Sequence, residues 1–289
     1  MMNPTPRKFD YETLKHQLVS RPRDGHKGDF GHVLVIGGDK GFGGAALMAG
    51  MSAARTGAGL VSVATHPFHC AAFLARCPEL MIKAVEESED LASLLPAATV
   101  IVLGPGLGQS DWSRLCLKLT LTRLATQPVP LVLDADALNF LSQGLGMDEI
   151  GHVRDIILTP HPGEAARLLD TSSAAIQQDR VKAAVDLQAA YGGVSILKGA
   201  GTLVCYRQGE RVQVDQCVHG NPGMASGGMG DVLSGVLAGL LAQGFSPADS
   251  ARLAVCLHGH AADQVAGKRG ERGMLATDLL EALQALVNP

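Results

Sequence analysis

Aromatic residues make up only 4% of this 289-residue chain, and charged residues 18%. There is one Trp, there are three Tyr, and no basic block or stripe occurs. The chain therefore lacks both the stacking groups and the cationic face of a nucleic-acid binder. Net charge is −4, from 24 basic and 28 acidic residues. Long apolar runs are missing as well. The longest uncharged stretches, 56–75 and 91–110, are interrupted by Pro and Gly, and a membrane helix needs ~20 mostly apolar residues. The six cysteines form no CxxC pair and no zinc spacing, as buried or idle thiols of a reducing compartment would. The opening MMNPTPRKFDYETLK has no apolar run and is not a signal peptide. A cytoplasmic globular protein is expected, and 46% apolar residues supply its core.

What is abundant is glycine, 35 residues of 289, against about 7% in ordinary proteins. The glycines follow no Gly-X-Y period and cluster between apolar runs, so collagen and flexible linkers are excluded. Continuous β-rich runs occur at 33–37, 60–65, 80–85, 99–103, 130–134, 155–158, 194–198 and 202–206. Continuous rather than alternating runs mark strands buried on both faces. Helical composition lies between many of them, at 45–55, 67–76, 111–124, 136–142, 163–169 and 176–190. This order predicts an α/β fold with a mostly parallel central sheet and helices on both faces. Runs 202–206 and 211–215 flank Gln208-Gly209-Glu210 and predict a small antiparallel hairpin near one edge. Three helices, at about 229–243, 247–266 and 275–287, close the chain. Gly244 suits a C-terminal cap, and Ser246-Pro247 a helix start. No linker or composition break divides residues 1–289, so one domain is expected, with residues 1–25 as an N-terminal extension.

Four glycine clusters follow predicted strands: Gly37 to Gly44, Gly104 to Gly108, Gly199-Ala200-Gly201 and Gly220 to Gly223. Ligands of open α/β sheets bind beyond the carboxyl ends of the strands. Glycines there let backbone N–H groups approach phosphate oxygens, although each loop alone is equally a tight turn. No P-loop string exists. Gly41-x-Gly43-x-x-Ala46 resembles a dinucleotide fingerprint, but no Asp or Glu lies between Asp39 and Glu79 to bind a ribose. Gly227-Gly228-Met229-Gly230 opens a helix whose first turn carries Asp231. Free amides at that positive helix end make an anion hole. Asp231 either caps the helix or accepts the proton of a hydroxyl being phosphorylated.

At this point the sequence resembles a known family. Gly-Gly-x-Gly-Asp at 227–231 is the phosphoryl-transfer motif of the ribokinase-like superfamily. The string 220–235 is similar to one branch, the ADP-dependent (S)-NAD(P)H-hydrate dehydratases. The segments 27–32, 55–60, 134–139, 159–164 and 198–202 match the same branch, in order. The resemblance implies a ribokinase-like fold and repair of hydrated nicotinamide cofactors, (S)-NADHX and (S)-NADPHX. ADP, with Mg2+, phosphorylates the ring hydroxyl; loss of phosphate restores NAD(P)H. It implies Asp231 as the base, Gly227, Gly228, Met229 and Gly230 as the phosphate hole, and Lys198, Gly199, Ala200, Gly201, Thr202 and Gly230 as AMP/ADP contacts. It implies Ala45, Gly108, His161 and Asp231 around the hydrate. A homotetramer is expected, and an epimerase as a separate protein, since no epimerase domain is expected in this chain. A ribokinase-like kinase of a vitamin-precursor alcohol is the alternative.

Some assignments stay open. Asp134, Asp136 and Glu164 are magnesium candidates, but Asp136 is equally a helix N-cap and Glu164 a first-turn carboxylate. His161 is either a packing residue or a ligand contact. His258 and His260, two apart, share no helix face and read as packing. Lys40 and Arg55 read as solvated.

Overall fold

The computed structural model describes residues 4–151 and 153–289. Its strands are β1 (Arg7–Phe9), β2 (His32–Ile36), β3 (Leu60–Thr65), β4 (Met81–Ala84), β5 (Val100–Leu103), β6 (Leu131–Leu133), β7 (Ile156–Leu158), β8 (Val194–Leu197), β9 (Leu203–Gln208) and β10 (Arg211–Cys217). All ten join one sheet, in the order β1-β10-β9-β8-β7-β6-β5-β2-β3-β4. From β4 to β8 every pairing is parallel; β9 then runs antiparallel to β8 and to β10.

The helices are α1 (Tyr11–Leu14), α2 (Gly43–Thr56), α3 (Cys70–Arg76), α4 (Ser88–Leu94), α5 (Asp111–Thr126), α6 (Asp136–Ser142), α7 (Met147–Ile150), α8 (Pro162–Leu168), α9 (Ser173–Gln178), α10 (Arg180–Tyr191), α11 (Met229–Ala242), α12 (Pro247–Arg269) and α13 (Leu279–Leu286). Among the described residues, no helix is long and apolar enough to cross a membrane.

Alternate residues of each strand enter opposite cores, which is why the strands read as unbroken apolar runs. Val33 and Val35 pack with α2, α11, α12 and α13 on one face. Leu34 and Ile36 pack with α5, α6, α8 and α10 on the other. Helix α11 is buried along most of its length and lies directly on α2. A Cβ on Gly235 would stand 2.1 Å from the Ala49 carbonyl oxygen, so only glycine permits that approach.

The expected hairpin is present, with Arg211 opposite Gln208. The outermost strand, however, is β1: residues 7–9 of the expected extension pair parallel with Asp215–Cys217. The continuous helix expected at 176–190 is divided. Asp179 leaves the helical conformation, at φ −139 and ψ 79, and its carboxylate accepts from Lys182 N to start α10 afresh. The stretch 275–287 likewise begins with a 3-10 turn, Ala276–Asp278, before α13. Gly244 follows α11 with φ +88, and Ser246 caps α12, both as expected.

Candidate active site

Two loop pairs define the site. Strand β2 has β3 on one side and β5 on the other, so chain direction diverges there and opens a crevice beyond the strand ends. The glycine loops after β2 and β5 meet in it: Gly38 N donates to the Pro105 carbonyl at 3.0 Å and Asp39 N to the Gly106 carbonyl at 2.8 Å. Ala45, in the first turn of α2, stands on this rim, its Cβ 3.1 Å from where a Gly106 Cβ would be. Gly108 N donates to Asp136 Oδ2 at 2.8 Å. Asp136 is thus not the N-cap of α6. Ala135 holds that place at φ +48, and the Asp136 carboxylate instead fastens the β5 loop.

The second pair lies beyond β8 and at the start of α11. A cavity of about 870 Å3 is lined there by His161, Lys198, Gly199, Ala200, Gly201, Thr202, Met229 and Gly230. Lys8, Pro162, residues 216–222, Met224, Ala225, Ser226, Leu233, Val255, His258 and Gly259 complete its wall. The structure therefore brings six expected nucleotide contacts together with His161. Ala45 and Gly108 belong to the crevice at the switch point, and Gly227, Gly228 and Asp231 are not in the cavity lining. Arg180, which carried no signal in the sequence, braces the β8 loop. Its guanidinium donates to the carbonyls of Ala200 at 2.8 Å and Leu197 at 3.2 Å.

Gly228 caps α11 with φ +92, a conformation that favours glycine, and no side chain caps the helix. The first helical bond runs from Val232 N to the Gly228 carbonyl. The N–H groups of Met229, Gly230 and Asp231 thus have no partner within the helix, as an anion hole requires. Asp231 is not a cap: no side-chain hydrogen bond ties it to the helix start. Its carboxyl is pushed up to about 7, first by burial, then by the charges of Asp134, Asp136 and Glu164, with Lys198 opposing. A carboxylate so placed is a competent general base near neutral pH.

Beside it stands an ion pair with its carboxylate buried and its ammonium at the cavity wall. Lys198 Nζ lies 2.9 Å from Asp134 Oδ1 and 3.8 Å from Glu164 Oε2. Burial alone lowers the lysine pKa, but Asp134 and Glu164 more than offset it, leaving it raised and the ammonium charged. Asp134 is correspondingly held low despite burial, by Lys198 and by hydroxyls of Ser234 and Thr159. His161 caps α8: Nδ1 accepts from Gly163 N at 3.0 Å and Glu164 N at 3.3 Å. Glu164 Oε2 accepts from His161 N at 2.7 Å. Burial and the Lys198 charge lower the His161 pKa, so the ring is neutral with its proton on Nε2.

These partners decide what the three magnesium candidates can do. Asp134 is fully engaged by Lys198, Thr159 and Ser234. Asp136 holds Gly108 N and Asn139, and Glu164 holds the α8 cap. Each already accepts from protein donors, so a magnesium ion drawn to them would share its oxygens with those donors. His258 is buried in the cavity wall, while His260 stacks on Tyr11 and faces His219 and Asp263. Nε2 of His219 accepts from Tyr11 N at 3.1 Å, which leaves its proton on Nδ1, towards Asp263. That tautomer argues for a structural network rather than a metal-ligating triad.

A mostly parallel sheet with an antiparallel hairpin towards one edge, and a glycine-capped helix start carrying a half-buried carboxyl, is the ribokinase-like class of fold. A solved ribokinase-like superfamily protein from Enterococcus faecalis V583 matches with a TM-score of 0.86 and 33% identity, covering 97% of this chain and 95% of that one. Within that class, the chain belongs to the NAD(P)H-hydrate dehydratase family, whose sequence profile matches residues 33–285. It is 52% identical over 272 residues to the bifunctional NAD(P)H-hydrate repair enzyme Nnr of Coxiella burnetii, covering 94% of this chain and 53% of the relative. It is 38% identical over 260 residues to an ADP-dependent (S)-NAD(P)H-hydrate dehydratase of Lactiplantibacillus plantarum, covering 89% of each. The chain thus spans about half the length of its bifunctional relatives.

Proposed function

We propose that this chain dehydrates (S)-NADHX and (S)-NADPHX to NADH and NADPH, consuming ADP and releasing AMP and phosphate. The observation that carries the reading is Asp231: a half-buried, uncapped carboxyl with a pKa of about 7, in the first turn of a helix whose leading amides have no partner within the helix. Family membership supplies the substrate. Hydroxide is a poor leaving group from the hydrated ring. Asp231 takes the proton of the ring hydroxyl as its oxygen bonds to the β-phosphorus of ADP, and the bond to the AMP oxygen breaks. Phosphate then departs with the C–O electron pair, and a neighbouring ring carbon gives up a proton to restore the double bond. The amides of Met229, Gly230 and Asp231 stabilise charge on the phosphoryl group in flight. Lys198 to Thr202 hold the nucleotide, and the crevice around Ala45 and Gly108 receives the nicotinamide end. Magnesium fits as a counter-ion arriving on the nucleotide phosphates, with Asp134, Asp136 and Glu164 as the nearby carboxylates. A cytoplasmic homotetramer working beside an epimerase completes the reading.

The test is direct. Purified chain is mixed with hydrated NADH and ADP, and NADH absorbance is followed. Recovery stoichiometric with AMP supports the proposal. A stable phosphate ester accumulating from other alcohols, with no NADH regained, points instead to a small-molecule kinase.

A further inference from the structure

Buried ion pairs are weak contributors to stability, since apolar residues of equal volume often serve as well. The pair of Asp134 and Lys198 therefore invites a reason beyond packing. Four elements build it. Asp134 follows β6 and is 1% exposed. Its Oδ1 accepts from Lys198 Nζ at 2.9 Å and from the Thr159 hydroxyl, beyond β7, at 2.8 Å. Its Oδ2 accepts from the Ser234 hydroxyl of α11 at 2.7 Å. Ser234 lies one turn beyond Gly230 in α11, so the brace and the anion hole share one helix.

The ammonium stands at that hole: a Cβ on Gly230 would lie 3.1 Å from Lys198 Nζ. An ammonium has three N–H donors. One serves Asp134, Glu164 attracts a second at 3.8 Å, and a third remains for the cavity that Lys198 lines.

We propose that Asp134, braced by Ser234 and Thr159, is a positioning residue that aims Lys198 at the phosphoryl group in the anion hole, making Lys198 the fixed cation of the transfer. The inference rests on the phosphoryl-transfer reading of the site. During the step Lys198 keeps all its protons and supplies charge alone. The acceptor proton goes to Asp231, and the bond electrons leave on the AMP oxygen. Lysine differs here from a solvent cation in costing no reorganisation as charge moves. The assignment also separates two nucleotides: ADP carries the phosphoryl group that Lys198 meets, and AMP does not.

The experiment compares ADP and AMP affinity by calorimetry, with no hydrated cofactor present, alongside kcat and KM for the full reaction. Lys198→Met and Asp134→Asn are each expected to lower the ADP-to-AMP affinity ratio about 10- to 100-fold, the size of a lost hydrogen bond to a charged group. In Asp134→Asn, which leaves every cavity-lining side chain in place, AMP affinity itself should stay within a few-fold, and kcat should fall more than KM rises. Ser234→Ala keeps the ion pair, removes one brace and folds more safely; a smaller drop in the same ratio is expected. An unchanged ratio in folded Asp134→Asn or Ser234→Ala protein overturns the proposal, and a purely structural role would lower melting temperature without moving it. If the wild type shows the ratio but no dehydratase activity, the function reading fails while the placement of Lys198 stands.

Discussion

Lys198 Nζ stands 2.9 Å from Asp134 Oδ1, joining the loops that follow β6 and β8 across β7. The same β6 loop reaches the other way through Asp136, which holds Gly108 N at 2.8 Å. Two carboxylates two residues apart thus fasten the nucleotide end of the site to the switch-point crevice, with Asp231 feeling both.

Asp231→Asn removes the base and keeps the shape. Turnover should fall by about 10²- to 10⁴-fold, the usual worth of a positioned proton acceptor. AMP affinity should stay close to wild type, because Asp231 lies outside the cavity lining. Steady-state kinetics beside calorimetry separates the two, and equal loss of both would contradict the assignment.

The pH dependence follows from the raised Asp231 pKa, about 7. The base must be ionised, so kcat/KM should drop as pH falls below about 7. Stability runs the opposite way. An acid with a higher pKa folded than unfolded binds more protons in the native state, so its cost is absent below the ordinary carboxyl pKa and complete above about 7. Asp231→Asn should therefore raise the melting temperature at pH 8, and much less at pH 4. A stabilisation independent of pH would show that the carboxyl is not strained by burial.

His161→Asn tests cap against contact. Asn is as good an N-cap as any residue, so melting temperature should barely change. The imidazole that lines the cavity is lost, and KM for nucleotide or hydrate should rise about 5- to 10-fold, the range of one hydrogen bond. A fall in stability with unchanged KM would assign His161 to capping alone.

Arg180→Ala should loosen the Lys198 to Thr202 loop by removing its bonds to the Ala200 and Leu197 carbonyls. An increase of about 10-fold in nucleotide KM is expected, with kcat less affected. Wild-type KM in this variant would show the loop to be held by its own backbone.

Gly235→Ala places a Cβ 2.1 Å from the Ala49 carbonyl oxygen and must push α11 off α2. Overpacking of this kind costs about 1–3 kcal/mol. Denaturant unfolding measures it, and a neutral result would mean that the two helices slide freely.

Much of this was legible before any coordinates. Strands such as β2 and β5 announced themselves because both faces are buried, which leaves no polar residue to interrupt the run. The glycine-led helix start was legible because Gly227 to Gly230 sit where the apolar run of α11 begins. The break at Asp179 was not, since residues on either side are equally helix-forming and only the Asp179 carboxylate decides the restart. Strand β1 was hidden too: three residues with one buried side chain carry no periodicity. The bond from Lys198 to Asp134 spans 64 positions, and Ser234 to Asp134 spans 100. Residue spacing says nothing about such partners, so Asp134 read as a metal candidate when the fold had already given it a lysine.

Strand β1 also bears on how the molecule comes together. Arg7 bonds to Asp215 across 208 positions, and Tyr11 N to His219 across the same separation. Closing so long a loop is entropically slow, and it cannot begin in a growing polypeptide until β10 exists. His219 and its neighbours line the cavity beyond β8. During synthesis, then, residues 7–11 must wait for the 208 positions that separate them from their partners. The cavity wall sets only when these two distant segments finally meet.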